Sequence, residues 1–221
     1  MSLPVLYSFR RCPFAMRARF ALLAADCACE WREVLLRDKP AALREASPKA
    51  TVPVLVEPDG HVIDQSLEIM LWALRQRDPL QWLQLEHGTL AAMLALIDRC
   101  DSGFKHDLDR YKYPNRFQGA DAGQHRDASM AFLDELDRRI VVAGFLFGAR
   151  PALADMAIAP FVRQFARVDS AWFDANAAAP LREWLAALTA SPLWERAMHK
   201  QPPWKPGDPV CVFPVPAPTA P

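Results

Sequence analysis

The spacing of apolar residues changes once along this chain, near residue 80, and this change constrains the fold more than any other feature. Before it, short apolar runs typical of buried strands alternate with segments that have helical spacing. The predicted order is β-α-β-α-β-β-α, which is an α/β unit with a mixed sheet. The strands are predicted at 3–9, 29–36, 52–57 and 61–64, and the helices start at residues 13, 39 and 66.

After a linker at 78–84 no further strand is predicted, because every apolar pattern repeats with the period of a helix. These helices are predicted at 89–100, 128–142, 153–168 and 181–190. The final segment is rich in proline, which excludes regular helix and predicts an extended or disordered course. The predicted organisation is an α/β domain at 1–77, an all-helical domain at 85–201 and a proline-rich tail at 202–221.

The charge and apolar content limit the classes of partner. Lysine plus arginine and aspartate plus glutamate balance at 26 each, so charge gives no reason to expect nucleic acid or an anionic membrane as a partner. The start of the sequence lacks the pattern of a secretion signal, and uncharged apolar runs fall short of the ~20 residues that span a bilayer. We therefore expect a soluble, cytoplasmic protein with no membrane association.

The cysteines do not predict a metal site, because their number is odd and their spacing is not that of a zinc motif. In a reducing compartment they are expected to be free thiols. The 5 cysteines are Cys12, Cys27, Cys29, Cys100 and Cys211.

Cys12 differs from the others because it lies where the first strand gives way to the first helix. Arg10, Arg11 and Arg17, together with the positive end of the helix dipole, would favour a thiolate there. Ala15 stands where a Cys-x-x-Cys motif has its second cysteine, so a redox role needs an external thiol to resolve the disulfide. The local sequence is equally compatible with a structural cysteine at a strand–helix corner.

Two further features lie in the same domain. Pro53 interrupts the third predicted strand, which indicates an edge strand, a bulge or a cis bond after Val52. A cis bond would turn the Val52 backbone outward to pair with an extended peptide, whereas an ordinary edge-strand proline is the more frequent arrangement. Gln65 and Ser66 stand at the start of the last helix of this domain, where free N–H groups either bind a carboxylate or are simply capped.

Together these features resemble the glutathione transferase superfamily, whose members join a thioredoxin-like N-terminal domain to an all-α C-terminal helical domain. Cys-Pro-Phe-Ala at 12–15 resembles the active-site motif of the omega class and of related glutaredoxin-like members. Arg-Asp-Lys-Pro at 37–40 is similar to an omega segment that contacts glutathione. Thr-Val-Pro-Val-Leu at 51–55 and Gln-Ser at 65–66 are similar to the superfamily's cis-proline and γ-glutamyl-binding segments.

The resemblance implies a site for glutathione as co-substrate within 1–77, with no metal. It implies that Cys12 is the catalytic residue and forms a mixed disulfide with glutathione. A homodimer is also implied by the resemblance. The glutathione-binding residues that it implies are Phe14, Lys39, Val52, Pro53, Gln65 and Ser66.

The chain departs from the omega pattern at several positions. Omega members typically have glutamate where this chain has Gln65, so the γ-glutamyl ammonium would be held less strongly by charge. The usual Ser/Thr-x-x-Asp capping box of the helical domain keeps Asp155 but has Ala152 in place of the hydroxyl, a loss of about 1 kcal/mol. Other classes activate glutathione with a hydroxyl near the end of the first strand, where Tyr7 is predicted to be core and Ser8 is the alternative to Cys12.

Three functions are compatible with these residues. The leading prediction is glutathione-dependent thiol transfer, as in deglutathionylation or dehydroascorbate-type reduction, through the Cys12 mixed disulfide. The second is conjugation of glutathione to hydrophobic electrophiles. For these two functions the partners would be glutathione and a small substrate, either a disulfide or an electrophile. The third is an interaction protein that keeps the fold without catalysis. The residues whose retention argues against it are Cys12, Lys39, Val52, Pro53 and Ser66.

Overall fold

The computed structural model describes residues 2–214, which divide into two compact units. One unit contains the chain up to Leu80 together with the segment from Ser191 onward, and the other contains Gln81–Ala190. The first unit carries the predicted α/β order. Its elements are β1 (Val5–Ser8), α1 (Pro13–Ala24), β2 (Cys29–Glu33), α2 (Ala41–Ala46), β3 (Val54–Val56), β4 (Val62–Ile63), α3 (Ser66–Gln76), α10 (Pro192–Ala197) and β5 (Val212–Phe213).

The sheet of the first unit has the strand order β4-β3-β1-β2-β5. β1 and β2 run parallel, whereas every other neighbouring pair is antiparallel, so the sheet is mixed as predicted. In this register Leu6 of β1 lies between Trp31 of β2 and Leu55 of β3, and all three side chains are buried. Helices α1 and α3 pack against each other. Pro13 suits the first position of α1, because its missing N–H would have no partner there.

The prediction of no strand after residue 83 was wrong, because β5 adds a fifth strand at the edge of the sheet. Val212 and Phe213 pair antiparallel with the start of β2, and the N–H of Trp31 donates to the carbonyl of Cys211 at 2.7 Å. The Phe213 ring is fully buried and lies edge-on against Trp31, with ring centres 5.2 Å apart. This burial of an aromatic side chain fixes a segment whose composition alone predicted no regular structure.

The C-terminal boundary of the units also differs from the predicted domain limits of 85–201 and 202–221. Helix α10, which begins at Pro192, contacts α1 of the first unit. Further along, the Trp204 N–H donates to the Glu33 carbonyl at 2.8 Å, and the Trp204 ring lies 4.3 Å from the Arg32 guanidinium. The segment after α10 therefore runs along β2 as part of the α/β unit. Residues 215–221 of the predicted tail lie outside the described residues.

The second unit is helical over its described length. Its α-helices are α4 (Leu90–Arg99), α5 (Lys105–Lys112), α6 (Ala122–Ala143), α7 (Leu153–Ala166), α8 (Ser170–Asn176) and α9 (Ala179–Thr189). A π-helical segment, Cys100–Phe104, joins α4 to α5, and a 3₁₀ turn, Pro114–Arg116, follows α5. Helix α6 begins earlier than predicted, because the Asp121 carboxylate accepts from the Gln124 N–H at 2.9 Å and caps it.

A single buried carboxylate, Asp155, holds the start of α7 in place. It accepts from the N–H groups of Ala152 at 2.8 Å and Leu146 at 3.1 Å, and from the indole N–H of Trp184 at 2.8 Å. Asp155 thus supplies its half of the capping box, whereas Ala152 offers no oxygen in return. Burial raises the pKa of Asp155 to about 6, and the three donated hydrogen bonds oppose that rise.

Between residues 2 and 214, none of the helices has both the length and the apolar character that crossing a bilayer requires.

Candidate active site

Cys12 occupies the residue immediately before α1, so its sulfur lies at the N-terminal end of that helix. The Cys12 carbonyl accepts the first helical hydrogen bond, from the Met16 N–H at 2.9 Å, and its side chain is not used as a cap. The side chain is half-buried, not enclosed in the core. The first turn of α1 contains no acidic residue, so the unpaired N–H groups of the helix present positive potential to the sulfur.

The second predicted feature lies against this sulfur. The Cys12 thiol donates to the carbonyl oxygen of Val52, with 3.6 Å between Sγ and O. The Val52–Pro53 peptide bond is cis, as the resemblance implied and in contrast to the more frequent trans form. Val52 and Pro53 are both buried, and Cys12 packs against the apolar cluster that includes Val52. The structure therefore brings together Cys12 and the Val-Pro segment, which are 40 residues apart in the sequence.

The charges around Cys12 differ from those predicted. Arg11 is exposed and Arg10 is half-buried, whereas Arg17 is fully buried with its guanidinium 5.4 Å from the Phe14 ring centre. Arg19, which was not among the predicted site residues, is also fully buried, and its positive charge acts on Cys12. The signal for it was the surrounding sequence, since a helix whose neighbouring residues are nearly all apolar has no exposed face for a charged side chain.

Arg19 forms hydrogen bonds to the residues of the turn that leads to Cys12. Its guanidinium donates to the Ser8 hydroxyl and to the carbonyl oxygens of Arg10 at 2.7 Å and Ala197 at 2.8 Å. Burial lowers the pKa of Arg19 to about 10, and the nearby Glu33 carboxylate opposes the decrease. The guanidinium thus stays protonated at neutral pH, and a fixed positive charge lies behind the cysteine.

Glu33 completes this buried network from β2. Its carboxylate accepts from the Arg10 backbone N–H at 2.6 Å and from the Trp31 indole N–H at 3.2 Å. Burial raises the pKa of Glu33, while the Arg10 hydrogen bond and the charge of Arg19 lower it. The backbone before Cys12 is therefore held from both sides, by an arginine on α1 and by a carboxylate on β2.

We expect Arg19→Lys to lower the free energy of unfolding by about 2 kcal/mol, because an ammonium keeps the charge but cannot reach all three acceptors at once. Urea unfolding followed by tryptophan fluorescence measures the change. Arg75→Lys, on the exposed end of α3, is the matched control and should leave stability unchanged. Equal losses of stability in both variants, or no loss in Arg19→Lys, would contradict the structural role of the Arg19 guanidinium.

The start of α3 contains the third predicted feature. Gln65 is exposed and lies at the N-cap position, and Ser66 is buried as the first helical residue. The neighbouring Asp64 accepts from Lys49 at 3.1 Å and from the Ser47 hydroxyl at 2.9 Å, and these hydrogen bonds lower its pKa. Asp64 thus links the start of α3 to the segment that leads into the cis-proline.

The remaining predicted residues lie near Cys12 in sequence or in the same unit. Phe14 is half-buried in the first turn of α1. Lys39 is half-buried after the turn that follows β2, and within residues 2–214 it forms none of the ion pairs.

The two hydroxyls considered as alternatives are both engaged in the interior. The Tyr7 hydroxyl accepts from Arg32 at 2.7 Å, and Tyr7 is 3% exposed, as predicted for a core residue. Ser8 is 0% exposed, and its hydroxyl accepts from Arg19. Ser8 is therefore not placed to meet a ligand, which corrects its standing as the alternative to Cys12.

Comparison with known proteins gives the same two-part organisation. The model of the glutathione S-transferase N-terminal domain matches residues 6–82, and that of the glutathione S-transferase C-terminal domain matches residues 81–187. A curated relative, glutathione S-transferase omega-1 of Mus musculus, is 37% identical over 62 residues, which are 28% of this chain. The match spans about a quarter of that relative's length (26%).

Solved structures share the fold at low sequence identity. A glutathione transferase family member from Pseudomonas fluorescens, solved with two glutathione molecules bound, has a TM-score of 0.76 at 16% identity, covering 89% of this chain and 92% of that one. Glutathione transferase Omega 3C from Trametes versicolor has a TM-score of 0.76 at 17% identity, covering 91% of both chains. With both domain models matched in order along most of its length, this chain belongs to the glutathione S-transferase family.

Proposed function

We propose that this protein catalyses glutathione-dependent thiol transfer with Cys12 as the nucleophile. The observation that carries the proposal is a half-buried sulfur at the N-terminal end of α1, beside the cis Val52–Pro53 bond and in front of the buried charge of Arg19. Helix N-termini and nearby cations favour the thiolate, which is the nucleophilic form of cysteine. Membership of the family supports the use of glutathione.

The reaction proceeds by two thiol–disulfide exchanges. The Cys12 thiolate attacks the glutathione sulfur of a glutathionylated substrate, the substrate–glutathione S–S bond breaks, and the substrate leaves as a thiolate that takes up a proton. The product on the enzyme is a mixed disulfide between Cys12 and glutathione. A second glutathione thiolate attacks the glutathione sulfur of that mixed disulfide, which releases oxidised glutathione and restores the Cys12 thiolate. Because residue 15 is alanine, the second thiol comes from solution.

The bound tripeptide would use the groups around the cysteine. The Val52 backbone beside the sulfur suits main-chain pairing with an extended peptide, and Phe14 would lie next to it. The start of α3, where Gln65 is exposed and Ser66 is buried, offers N–H groups and positive potential for the γ-glutamyl carboxylate. Lys39, which is free of ion pairs to the described acids, would contribute a cation for glutathione. The solved relative from Pseudomonas fluorescens, with glutathione bound, supports a site of this class.

Hydroxyl-activated conjugation has less support from the geometry. It requires a tyrosine or serine hydroxyl that donates to the glutathione thiolate, and the hydroxyls of Tyr7 and Ser8 are buried and already bonded to arginines. Among the described residues at the end of β1, Cys12 has a reactive side chain and is only half-buried.

Mass spectrometry after exposure to oxidised glutathione tests the proposal directly. We expect one glutathione per chain, on the peptide that contains Cys12. Burial raises the pKa values of Cys27, Cys29 and Cys211, so those thiols should stay protonated and unmodified. Cys27 and Cys211 are half-buried like Cys12, and they serve as internal controls for access. An adduct on either of them, with Cys12 unmodified, would overturn the assignment.

A further inference from the structure

A second cluster of reactive side chains lies in the helical unit, far along the sequence from Cys12. His106 and Asp107 are on α5 and His125 is on α6, two helices that pack together. Nδ1 of His125 lies 2.8 Å from Oδ1 of Asp107, and Nδ1 of His106 lies 3.1 Å from the same oxygen. One ligating atom from each of the three residues fits within 4.8 Å of the other two.

The spacing of these atoms is that of ligands around one metal ion. Imidazole nitrogens and carboxylate oxygens bind a transition ion at about 2.0–2.2 Å. Two neighbouring ligands at a right angle around such an ion are then about 3 Å apart. The two nitrogen–oxygen separations in the cluster, 2.8 and 3.1 Å, are close to this value.

The Asp107 carboxylate forms no ion pair with a lysine or arginine among the described residues. Within the described chain its ion-pair partners are His106 and His125 alone. The cationic residues next to these histidines in sequence form ion pairs with other acids. Lys105 pairs with Asp109, and Arg126 pairs with Asp127. The Asp107 carboxylate therefore faces two imidazoles, with no lysine or arginine paired to it, and all three groups are of kinds that bind metal ions.

The cluster is open enough for an ion to enter and complete its shell. His106 is exposed, and Asp107 and His125 are half-buried. Asp107 also borders a groove between the start of α5 and α6. Three protein ligands on one side leave the remaining coordination positions for water, as in sites that are not closed structural cages.

We propose that His106, Asp107 and His125 form a binding site for a divalent first-row transition ion such as Zn²⁺. The ligands are Nδ1 of each histidine and the carboxylate of Asp107. Imidazole favours zinc, copper, nickel and iron, whereas Mg²⁺ prefers a full set of oxygen ligands, so Mg²⁺ should not bind here. The site is independent of Cys12 and of the thiol chemistry proposed above.

Zinc titration of the full-length protein, followed by competition with a chromophoric chelator, tests this site. The unaltered protein is expected to bind one more equivalent of Zn²⁺ than His106→Ala/His125→Ala, and Mg²⁺ should not compete. Both proteins keep all 5 cysteines, so zinc bound to thiols cancels in the difference. Asp107→Asn alone should weaken binding at this site at least ~10-fold, because the amide removes the anionic ligand.

His61→Ala is the matched control, because Nδ1 of His61 lies 2.7 Å from a Glu57 oxygen with no second imidazole. It should bind as much zinc as the unaltered protein. Single replacement of His106, whose side chain is exposed, disturbs packing least and must also weaken binding. Equal stoichiometry in the unaltered protein and the double variant, or an equal loss in His61→Ala, would overturn the proposal.

Discussion

Replacing Cys12 with alanine is expected to lower the rate of glutathione-dependent disulfide reduction by on the order of 10³-fold or more, because no other group forms the covalent intermediate. In the proposed mechanism the sulfur is the atom that attacks and the atom that is later released, so its loss would remove both exchanges. The rate is measured with a small glutathionylated disulfide, by coupling the oxidised glutathione that forms to a reductase.

Cys27→Ala is the control for this experiment, because Cys27 is also half-buried and lies in the same unit. It should retain the full rate. Calorimetry with glutathione separates chemistry from binding, and Cys12→Ala should still bind the tripeptide through groups other than the thiol. Unchanged turnover in Cys12→Ala, or an equal loss in Cys27→Ala, would exclude Cys12 as the nucleophile.

Replacing Asp155 with alanine is expected to lower the free energy of unfolding by about 3–5 kcal/mol, because buried donors lose their shared acceptor. The donors are the N–H groups of Leu146 and Ala152 and the Trp184 indole, and the carboxylate is 0% exposed. Urea unfolding at pH 8 measures the change with the carboxylate ionised, since burial raises its pKa to about 6.

Asp155→Asn provides an intermediate case, because it keeps the volume and one acceptor oxygen but turns an NH₂ group towards at least one donor. Its loss of stability should lie between zero and that of Asp155→Ala. Asp134→Ala, on the exposed side of α6, removes an acid without buried partners and should change stability little. If Asp155→Ala and Asp134→Ala unfold at the same urea concentration, the carboxylate does not hold the start of α7.

The parts of the fold that the sequence predicted are those with a strong local pattern. The order of strands and helices up to Gln76 follows from apolar spacing, and the position of Cys12 before α1 follows from Pro13. The local sequence left the Val52–Pro53 isomer open, because the frequency of cis bonds alone favours trans. The resemblance to a family supplied the missing information, and the bond is cis.

The parts that it did not predict depend on contacts between distant segments. Arg19 is a charged residue, and charged residues are mostly exposed, yet its acceptors include Ala197, 178 residues away. Helix α5 does not stand out by apolar spacing, because it is mostly polar, with only Leu108 and Tyr111 buried. The two residues of β5 are too few to show alternation, and their burial against Trp31 appears only in the folded chain.

The cluster of His106, Asp107 and His125 escaped prediction for the same reason. Its two imidazoles lie on different helices, and no short motif relates residues that far apart. The packing of α5 against α6 places them on one oxygen.

The fifth strand has a practical consequence for anyone who shortens this protein for expression. In the sheet order, β5 is the neighbour that separates β2 from solvent. A version that ends at residue 201 would expose the backbone N–H and C=O groups of Glu30 and Trp31 at the edge of the sheet. Exposed edge strands pair with other chains and promote aggregation. Insoluble material from such a truncation would therefore reflect the loss of β5 from the edge of the sheet. It would say nothing about the chemistry at Cys12.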